Sequence, residues 1–185
     1  MYIEEMIYED SKTLQVLLSF LHSQQDQVRR VIFDTQEEYF HFLPGDPRDG
    51  SERFIGTLSH VMSTAGLGLM YRVIQAKSLF QILKNHNFNG QSCRVLFILK
   101  DDFLPENHTR LFVHFVNGRP CIEEDEQADV EVSMEIAEFS SLLMGTVTFS
   151  ALYRYGLAAI SNTNYLQEVN LLFTVSEQPK CTVRF

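Results

Sequence analysis

The stretch DVEVSMEIAEFSSLLMGTVTFSALYRYGLAAIS, residues 129–161, changes its hydrophobic period along its length. Its first part alternates polar with apolar residues, and the apolar ones are Val130, Val132 and Met134. Side chains alternate across a strand, so this part predicts a strand with one apolar face. The later part has apolar residues at helical spacing, which predicts two amphipathic helices. The whole stretch therefore indicates a hydrophobic layer between a sheet and helices.

Each of the two helical patterns is followed by a glycine. The apolar positions are Ile136, Phe139, Leu142 and Leu143 in the first pattern, and Phe149, Leu152 and Tyr153 in the second. Gly145 and Gly156 come next, and glycine is the commonest residue just beyond a helix C-terminus. We therefore expect the helices to end at these two glycines.

The flanking patterns predict an α+β fold. We expect further strands at residues 2–9, 28–34, 69–74, 93–99, 110–116, 120–123 and 180–185. We expect further helices from Asp10 or Ser11, over residues 76–84, and from Asn164, where Gln167 would complete a capping box. The Asn117-Gly118 step predicts a hairpin. Residues 69–185 should thus form a mixed or antiparallel sheet of about five strands, with helices on one side.

Composition narrows the classes of function. The formal net charge is −9, which disfavours a nucleic-acid partner because phosphate binding needs clustered Lys and Arg. No apolar run reaches the roughly 18 residues of a membrane-spanning helix, and the acidic N-terminus is unlike a secretory signal. The three cysteines are widely spaced and odd in number, which favours reduced thiols in a cytoplasmic protein. We expect no membrane and no metal partner.

Acidic residues are concentrated in residues 119–140, where eight acids accompany one base, Arg119. One interpretation is a solvated turn followed by the outer face of a strand. The other is an electronegative rim that attracts polyamines or aminoglycosides by electrostatic steering. The sequence leaves both open.

Three segments resemble one known family: VEVSMEIAEFSSLLMGTVTFSALYRYGLAAIS at 130–161, LMYRVIQAKSLFQIL at 69–83 and PKCTVRF at 179–185. They are similar to the C-terminal domain of Eis-type acetyltransferases, which are multi-domain GNAT N-acetyltransferases. Those enzymes carry two GNAT-like domains followed by a sterol-carrier-protein-like domain. The resemblance implies that residues 1–66 are the C-terminal portion of a GNAT-like domain, with a strand-helix-strand segment. It implies that residues 67–185 are the sterol-carrier-protein-like domain.

The resemblance also implies a role in acetyl-CoA-dependent acetylation of small-molecule amines. In Eis-type enzymes the C-terminal carboxylate of a final Phe is the base, and here that residue is Phe185. The family's Arg/Gln-x-x-Gly-x-Gly/Ala loop for acetyl-CoA has no match, so we expect this chain not to bind the cofactor. The expected partners are the missing N-terminal GNAT domain and further copies of the chain, since the family forms homo-oligomers, often hexamers.

Two alternatives stand beside this interpretation. Phe185 could end an ordinary strand in solvent, since chain termini commonly fray. The domain could also be a non-enzymatic binding module for a lipid or another apolar ligand. Its tunnel would be lined by Phe139, Leu142, Leu143, Met144, Phe149, Leu152 and Tyr153, unless these side chains simply fill the core. The substrate class stays open too, because aminoglycoside-acetylating members tend to have an acid where this chain has Arg184.

Overall fold

The computed structural model describes residues 1–51, 53–55, 59–66, 70–123 and 127–181. The chain divides into two compact units. Unit 1 is formed by residues 1–67 together with residues 180–185, and unit 2 by residues 68–179. Each unit is described by itself below.

The described part of unit 1 contains one α-helix and four short strands. They are β1 (Tyr2–Ile3), α1 (Ser11–Ser23), β2 (Ile32–Phe33), β3 (Phe54–Ile55) and β4 (Ser59–His60). The side chain of Asp10 accepts a hydrogen bond from the Thr13 N–H at 2.7 Å and caps α1. β1 and β2 pair in parallel, so the predicted strand-helix-strand order is confirmed. The strands are much shorter than the predicted ranges 2–9 and 28–34.

The described part of unit 2 contains a five-stranded sheet and four α-helices. The strands are β5 (Cys93–Lys100), β6 (Thr109–Val116), β7 (Arg119–Ile122), β8 (Val130–Glu135) and β9 (Ala158–Ile160). The helices are α2 (Ala76–Ile82), α3 (Ile136–Leu143), α4 (Phe149–Arg154) and α5 (Leu166–Leu172). Short 3-10 turns cover Leu83–Asn85, Pro105–Asn107 and Thr163–Tyr165. The predicted α+β class is confirmed.

The sheet of unit 2 is mixed, with the strand order β7-β6-β5-β8-β9. The β5–β8 pair is parallel, and the other neighbouring pairs are antiparallel. β6 and β7 form the predicted hairpin, in which Asn117 and Gly118 have φ values of 48° and 79°. Two consecutive positive φ values are the signature of a type I′ turn. A Cβ on Gly118 would lie 2.6 Å from the Gly90 nitrogen, so only glycine fits there.

One hydrophobic core joins the inner face of this sheet to all four helices of unit 2. At its centre six phenylalanine rings contact one another, with centroid distances of 5.3–6.5 Å. They are Phe80, Phe88, Phe97, Phe115, Phe139 and Phe173. The three apolar residues of β8 are also buried, as their alternation predicts. Gly145, with φ +73°, follows α3 at the predicted place.

Two sequence predictions in unit 2 are wrong. Residues 70–75 form no strand, and the backbone of Val73 is satisfied by side chains instead. Its N–H donates to Ser140 Oγ at 2.9 Å, and its carbonyl accepts from Asn107 Nδ2 at 3.1 Å. The predicted capping box at Asn164 is also absent, since Asn162 Oδ1 accepts from the Asn164 N–H at 3.0 Å. β9 was not predicted at all.

A buried carboxylate holds the segment after β5. Asp101 is 4% exposed, and its Oδ1 accepts from the Phe103 and Leu104 N–H groups at 2.9 Å and from Arg72 Nη2 at 2.6 Å. Its Oδ2 accepts from Asn107 Nδ2 at 3.2 Å. Burial raises the pKa of the Asp101 carboxyl, but these hydrogen bonds outweigh it and lower the pKa to about 2.

The lowered pKa predicts how stability depends on pH. A carboxyl with a depressed folded-state pKa contributes stability that is present above its unfolded pKa of about 3.9. That contribution is lost as the pH falls toward about 2. We expect Asp101→Asn to lower the free energy of unfolding at pH 7, and the difference from wild type to shrink between pH 4 and pH 2. Urea unfolding at several pH values measures this. A difference that does not vary with pH would contradict it, and Asp102→Asn, at an exposed neighbour, is the control.

Candidate functional site

A cleft of about 640 Å³ opens in unit 1 where β1 and β2 end. The two strands are parallel, so their carboxyl ends lie at one edge, and residues 4–6 and 34–37 leave that edge side by side. Residues 180 and 181 complete the wall. We call this feature the acidic cleft, because among its lining residues one ammonium, Lys180, accompanies the carboxylates of Glu4, Glu5, Asp34 and Glu37.

Two tyrosines orient carboxylates at this cleft. The Tyr2 hydroxyl donates to Asp34 Oδ2. The Tyr8 hydroxyl donates to Glu37 Oε2 at 2.6 Å. Both contacts cross from the segment around β1 to the segment after β2. They hold the two walls of the acidic cleft together.

The charge of the acidic cleft suits a cation. Carboxylates that line a concave surface raise the local concentration of cations by electrostatic attraction. Three of the four are exposed, so each single ion pair with a ligand is worth only about 0–1 kcal/mol. The arrangement therefore attracts a cationic group. For the bound cation to react, a further catalytic group must contact it.

Gln36 joins the two ends of unit 1 at the acidic cleft. Its Nε2 donates to the Cys181 carbonyl at 2.6 Å, and its Oε1 accepts from the Cys181 N–H at 2.8 Å. Both polar groups of one backbone residue are thus paired with one side chain. Sequence analysis missed Gln36, because nothing in the sequence links it to a residue 145 positions away.

Phe185, the predicted catalytic residue, lies outside the described residues, as do residues 182–184. The predicted strand at 180–185 therefore cannot be compared beyond Cys181, which is not in a strand.

Three acids of residues 119–140 contact basic side chains that belong to other strands. Three pairs form within unit 2: His114 with Glu123 at 2.8 Å, Arg110 with Glu131 at 3.6 Å across the intervening strand β5, and Lys100 with Glu135 at 4.0 Å. Glu124, Asp125 and Glu126 lie outside the described residues. The cross-strand pairs favour the interpretation of this run as a solvated outer face.

The side chains considered for an apolar tunnel mostly fill the core of unit 2. Phe139, Leu142, Phe149 and Leu152 are at most 3% exposed, and the first of these belongs to the ring cluster. Met144 and Tyr153 are each 39% exposed. A second cavity, of about 570 Å³, is lined by Asn87 and by the β6–β7 hairpin rather than by tunnel residues. Close packing of these rings favours a filled interior.

Comparison with known families decides what unit 2 is. The family model described as the sterol carrier protein domain matches residues 79–182, more than half of the chain. The chain belongs to the sterol carrier protein domain family. This confirms the sterol-carrier-protein-like sheet expected from the sequence. Among curated proteins the chain has no significant match.

The family model covers only the sterol carrier protein domain, whereas two solved structures resemble this chain over nearly its whole length. A probable N-acyltransferase from Enterococcus faecalis is 14% identical over 96% of this chain and 42% of its own, with a TM-score of 0.66. A GCN5-related N-acetyltransferase from Anabaena variabilis is 13% identical over the same shares, also with a TM-score of 0.66. At 13–14% sequence identity, this likeness shows a similar fold and does not show a shared activity. The chain spans less than half the length of either structure.

A third structure, Eis1 from Mycobacterium abscessus, is 23% identical over 51% of this chain and 23% of its own, with a TM-score of 0.43. Its match is shorter and looser than the other two. Among the described residues, none of the helices combines the length and the apolar character that crossing a bilayer requires.

Proposed function

We propose that this chain is the C-terminal part of an Eis-like, acetyl-CoA-dependent N-acetyltransferase that acts on amines in the cytoplasm. In this proposal residues 1–66 end a GNAT-like domain and residues 67–185 are the sterol carrier protein domain. The chain contributes the C-terminal carboxylate of Phe185 and part of the acceptor pocket. Acetyl-CoA is bound by an N-terminal GNAT domain outside this chain, and the complete enzyme is a homo-oligomer.

The observation that carries the proposal is the pairing of Gln36 with Cys181 at the acidic cleft. It holds Cys181, which precedes Phe185 in the sequence, at the wall of a cleft with four carboxylates. The fold likeness to a probable N-acyltransferase and to a GCN5-related N-acetyltransferase, over 96% of this chain in each case, supports acyl transfer to an amine as the reaction class.

Acetylation of an amine needs a base that removes a proton from the ammonium ion and a surface that attracts this cation. An aliphatic amine is an ammonium ion at neutral pH and has no lone pair until it loses a proton. The carboxylates of the acidic cleft attract the ammonium, and the terminal carboxylate accepts its proton directly or through water. Acetyl-CoA, held by the N-terminal GNAT domain, would supply the acetyl group: the amine nitrogen would bond to the acetyl carbon, the carbon–sulfur bond would break, and the second proton lost by the nitrogen would pass to the sulfur, so that CoA would leave as the thiol. A terminal carboxyl has an ordinary pKa of about 3.3–3.7, so it is ionised and ready to accept a proton.

A division of labour between domains makes the proposal testable. Isothermal titration calorimetry of the 185-residue chain with acetyl-CoA should show no binding in the micromolar range. The complete protein, produced with the upstream coding sequence, should bind acetyl-CoA and transfer the acetyl group to a polyamine probe such as spermidine. Micromolar binding by the chain alone would refute the division. A complete protein that releases no CoA with a panel of amines would refute the function.

Membership of the sterol carrier protein domain family supports a second candidate, a binding module for an apolar ligand. The packing of the six phenylalanine rings disfavours it, because the space between sheet and helices is occupied by side chains. We therefore assign the domain a scaffold role in the proposed enzyme.

A further inference from the structure

A thiol and an imidazole face each other on the outer side of the β6–β7 hairpin. Cys121 of β7 is directly opposite His114 of β6. Side chains alternate across a strand, and the residues on either side of His114, Val113 and Phe115, are buried in the core. His114 and Cys121 therefore point away from the core, and Cys121 is exposed. Opposite residues of an antiparallel pair have Cβ atoms about 4.5–5.5 Å apart, so a proton can pass between these side chains directly or through one water.

The imidazole is oriented as a base. His114 Nδ1 lies 2.8 Å from Glu123 Oε1. A neutral imidazole that donates Nδ1–H to a carboxylate keeps Nε2 as an acceptor, and among the described residues no group hydrogen-bonds to this Nε2. The Cys121 thiol has one weak contact, with the Ile122 carbonyl at 3.9 Å, which rotation about its Cα–Cβ bond breaks. A thiol opposite a base that a third group orients is the arrangement of an activated nucleophile.

A cavity at the thiol has room for a small ligand. Its volume is about 570 Å³, and its lining residues are Asn87, Val116, Asn117, Arg119, Pro120 and Cys121. Arg119 precedes Cys121 by two residues on β7, so both side chains leave the same face of the strand. Within the described ranges of the chain, Arg119 forms no ion pair. Its guanidinium can therefore pair with a carboxylate of a ligand, in the bidentate geometry that arginine favours.

We propose that Cys121 is a site of thiol–disulfide exchange, which takes up a small disulfide that carries carboxylates, such as oxidised glutathione. A carboxylate of the ligand pairs with Arg119 in the cavity, and His114 Nε2 accepts the proton of the thiol. This site belongs to unit 2 and does not depend on the acetyl transfer proposed above.

The exchange needs no reactant beyond the disulfide itself. The Cys121 sulfur attacks one sulfur of the ligand, a new sulfur–sulfur bond forms as the old one breaks, and the other half leaves as a thiolate with the electron pair of the broken bond. That thiolate takes a proton from the imidazolium or from water. Cys121 is oxidised to a mixed disulfide, and the half that leaves is reduced to a thiol.

The reaction can be followed on the 185-residue chain. Cys181 is first replaced by serine, which leaves Cys121 and the buried Cys93. Burial, followed by the nearby carboxylates of Asp129 and Glu168, raises the pKa of the Cys93 thiol to about 11. Cys93 therefore reacts slowly, because the thiolate is the nucleophile, and the fast reaction belongs to Cys121. Two disulfide probes that release a coloured thiol are compared: dithiobis-nitrobenzoate, which carries carboxylates, and the neutral dithiodipyridine.

Arg119→Gln tests the recognition of the carboxylate. We expect it to slow the reaction with dithiobis-nitrobenzoate about threefold, the size of an exposed ion pair, and to leave the rate with dithiodipyridine unchanged. Arg154→Gln removes an equal charge at an exposed position on α4 and should change neither rate. A fall in Arg119→Gln that is equal for both probes, or no fall, would overturn the proposal.

His114→Gln tests the base. It should slow both probes about tenfold, less than in an enclosed active site, because water also accepts the proton here. His108→Gln, at an exposed position, is the matched control and should leave both rates unchanged. Slow labelling of Cys93 in every variant shows that the fold is intact. Unchanged rates in His114→Gln would overturn the role of the base.

A third measurement uses the natural cysteines. After incubation of the wild-type chain with oxidised glutathione, peptide mass spectrometry should find the mixed disulfide on Cys121 before it appears on Cys181 or Cys93. Labelling of either other cysteine first would contradict the assignment of this site.

Discussion

Replacing Phe80 with alanine is expected to lower the free energy of unfolding of unit 2 by about 3–5 kcal/mol, the range for truncating a buried aromatic side chain. Phe80 is 1% exposed at the centre of the ring cluster. Its ring centroid lies 5.8–6.1 Å from those of Phe88, Phe97, Phe115 and Phe139. The neighbouring rings come from different elements and cannot all move into the space that the ring leaves. Urea unfolding followed by far-UV circular dichroism measures the loss.

The matched control lies on the same helix. Ile82 is 76% exposed, so Ile82→Ala removes apolar atoms that are already in water. We expect a change within about 0.5 kcal/mol, as is usual for surface substitutions. A loss below about 1 kcal/mol for Phe80→Ala would mean that the rings do not form the close-packed centre described above.

Removing the terminal carboxylate should have the largest effect on activity. In the proposed complete enzyme, converting the Phe185 carboxylate to an amide is expected to lower kcat by about 10²–10⁴-fold, the usual contribution of a general base. The KM for the amine should change little, because the carboxylates of the acidic cleft remain. Steady-state kinetics with a polyamine probe measure both quantities.

Deletion of Phe185 gives a complementary test. The new terminal carboxylate would then belong to Arg184 and lie about 3.5 Å back along the chain. We expect a loss of kcat similar to that of the amide. Phe185→Leu, which keeps both the carboxylate and its place in the chain, should retain most of the activity. Unchanged turnover in the amide variant would remove the base role.

The helices and strands that the sequence predicts correctly are those in which the hydrophobic pattern repeats several times. β8 and α3 have several alternating or helically spaced apolar residues, and both form where the sequence predicts them. β9 has three residues, too few for a period to emerge, and it was missed. Residues 70–74 are apolar enough to resemble a strand, yet Asn107 and Ser140 satisfy the backbone of Val73 from distant positions. Such side-chain partners are invisible in a local pattern.

The same reasoning applies to the candidate site. A resemblance to a family suggested Phe185, but it did not reveal the acidic cleft. The cleft arises because two parallel strands bring residues 4–6 and 34–37 to one edge. Gln36 gains its partner only through folding, and the acids of β8 gain theirs from other strands of the same sheet. Pairings between distant residues depend on topology, which the sequence shows only in outline.

The sheet of unit 2 is poorly suited to recruit strands from other molecules, which bears on the solubility of the protein. Its outermost strands are β7 and β9, of four and three residues. β7 contains Pro120, which has no N–H to donate. Short outer strands interrupted by proline are common protections against aggregation by strand addition. Among the described residues, this sheet therefore offers few free backbone groups to a strand of another molecule.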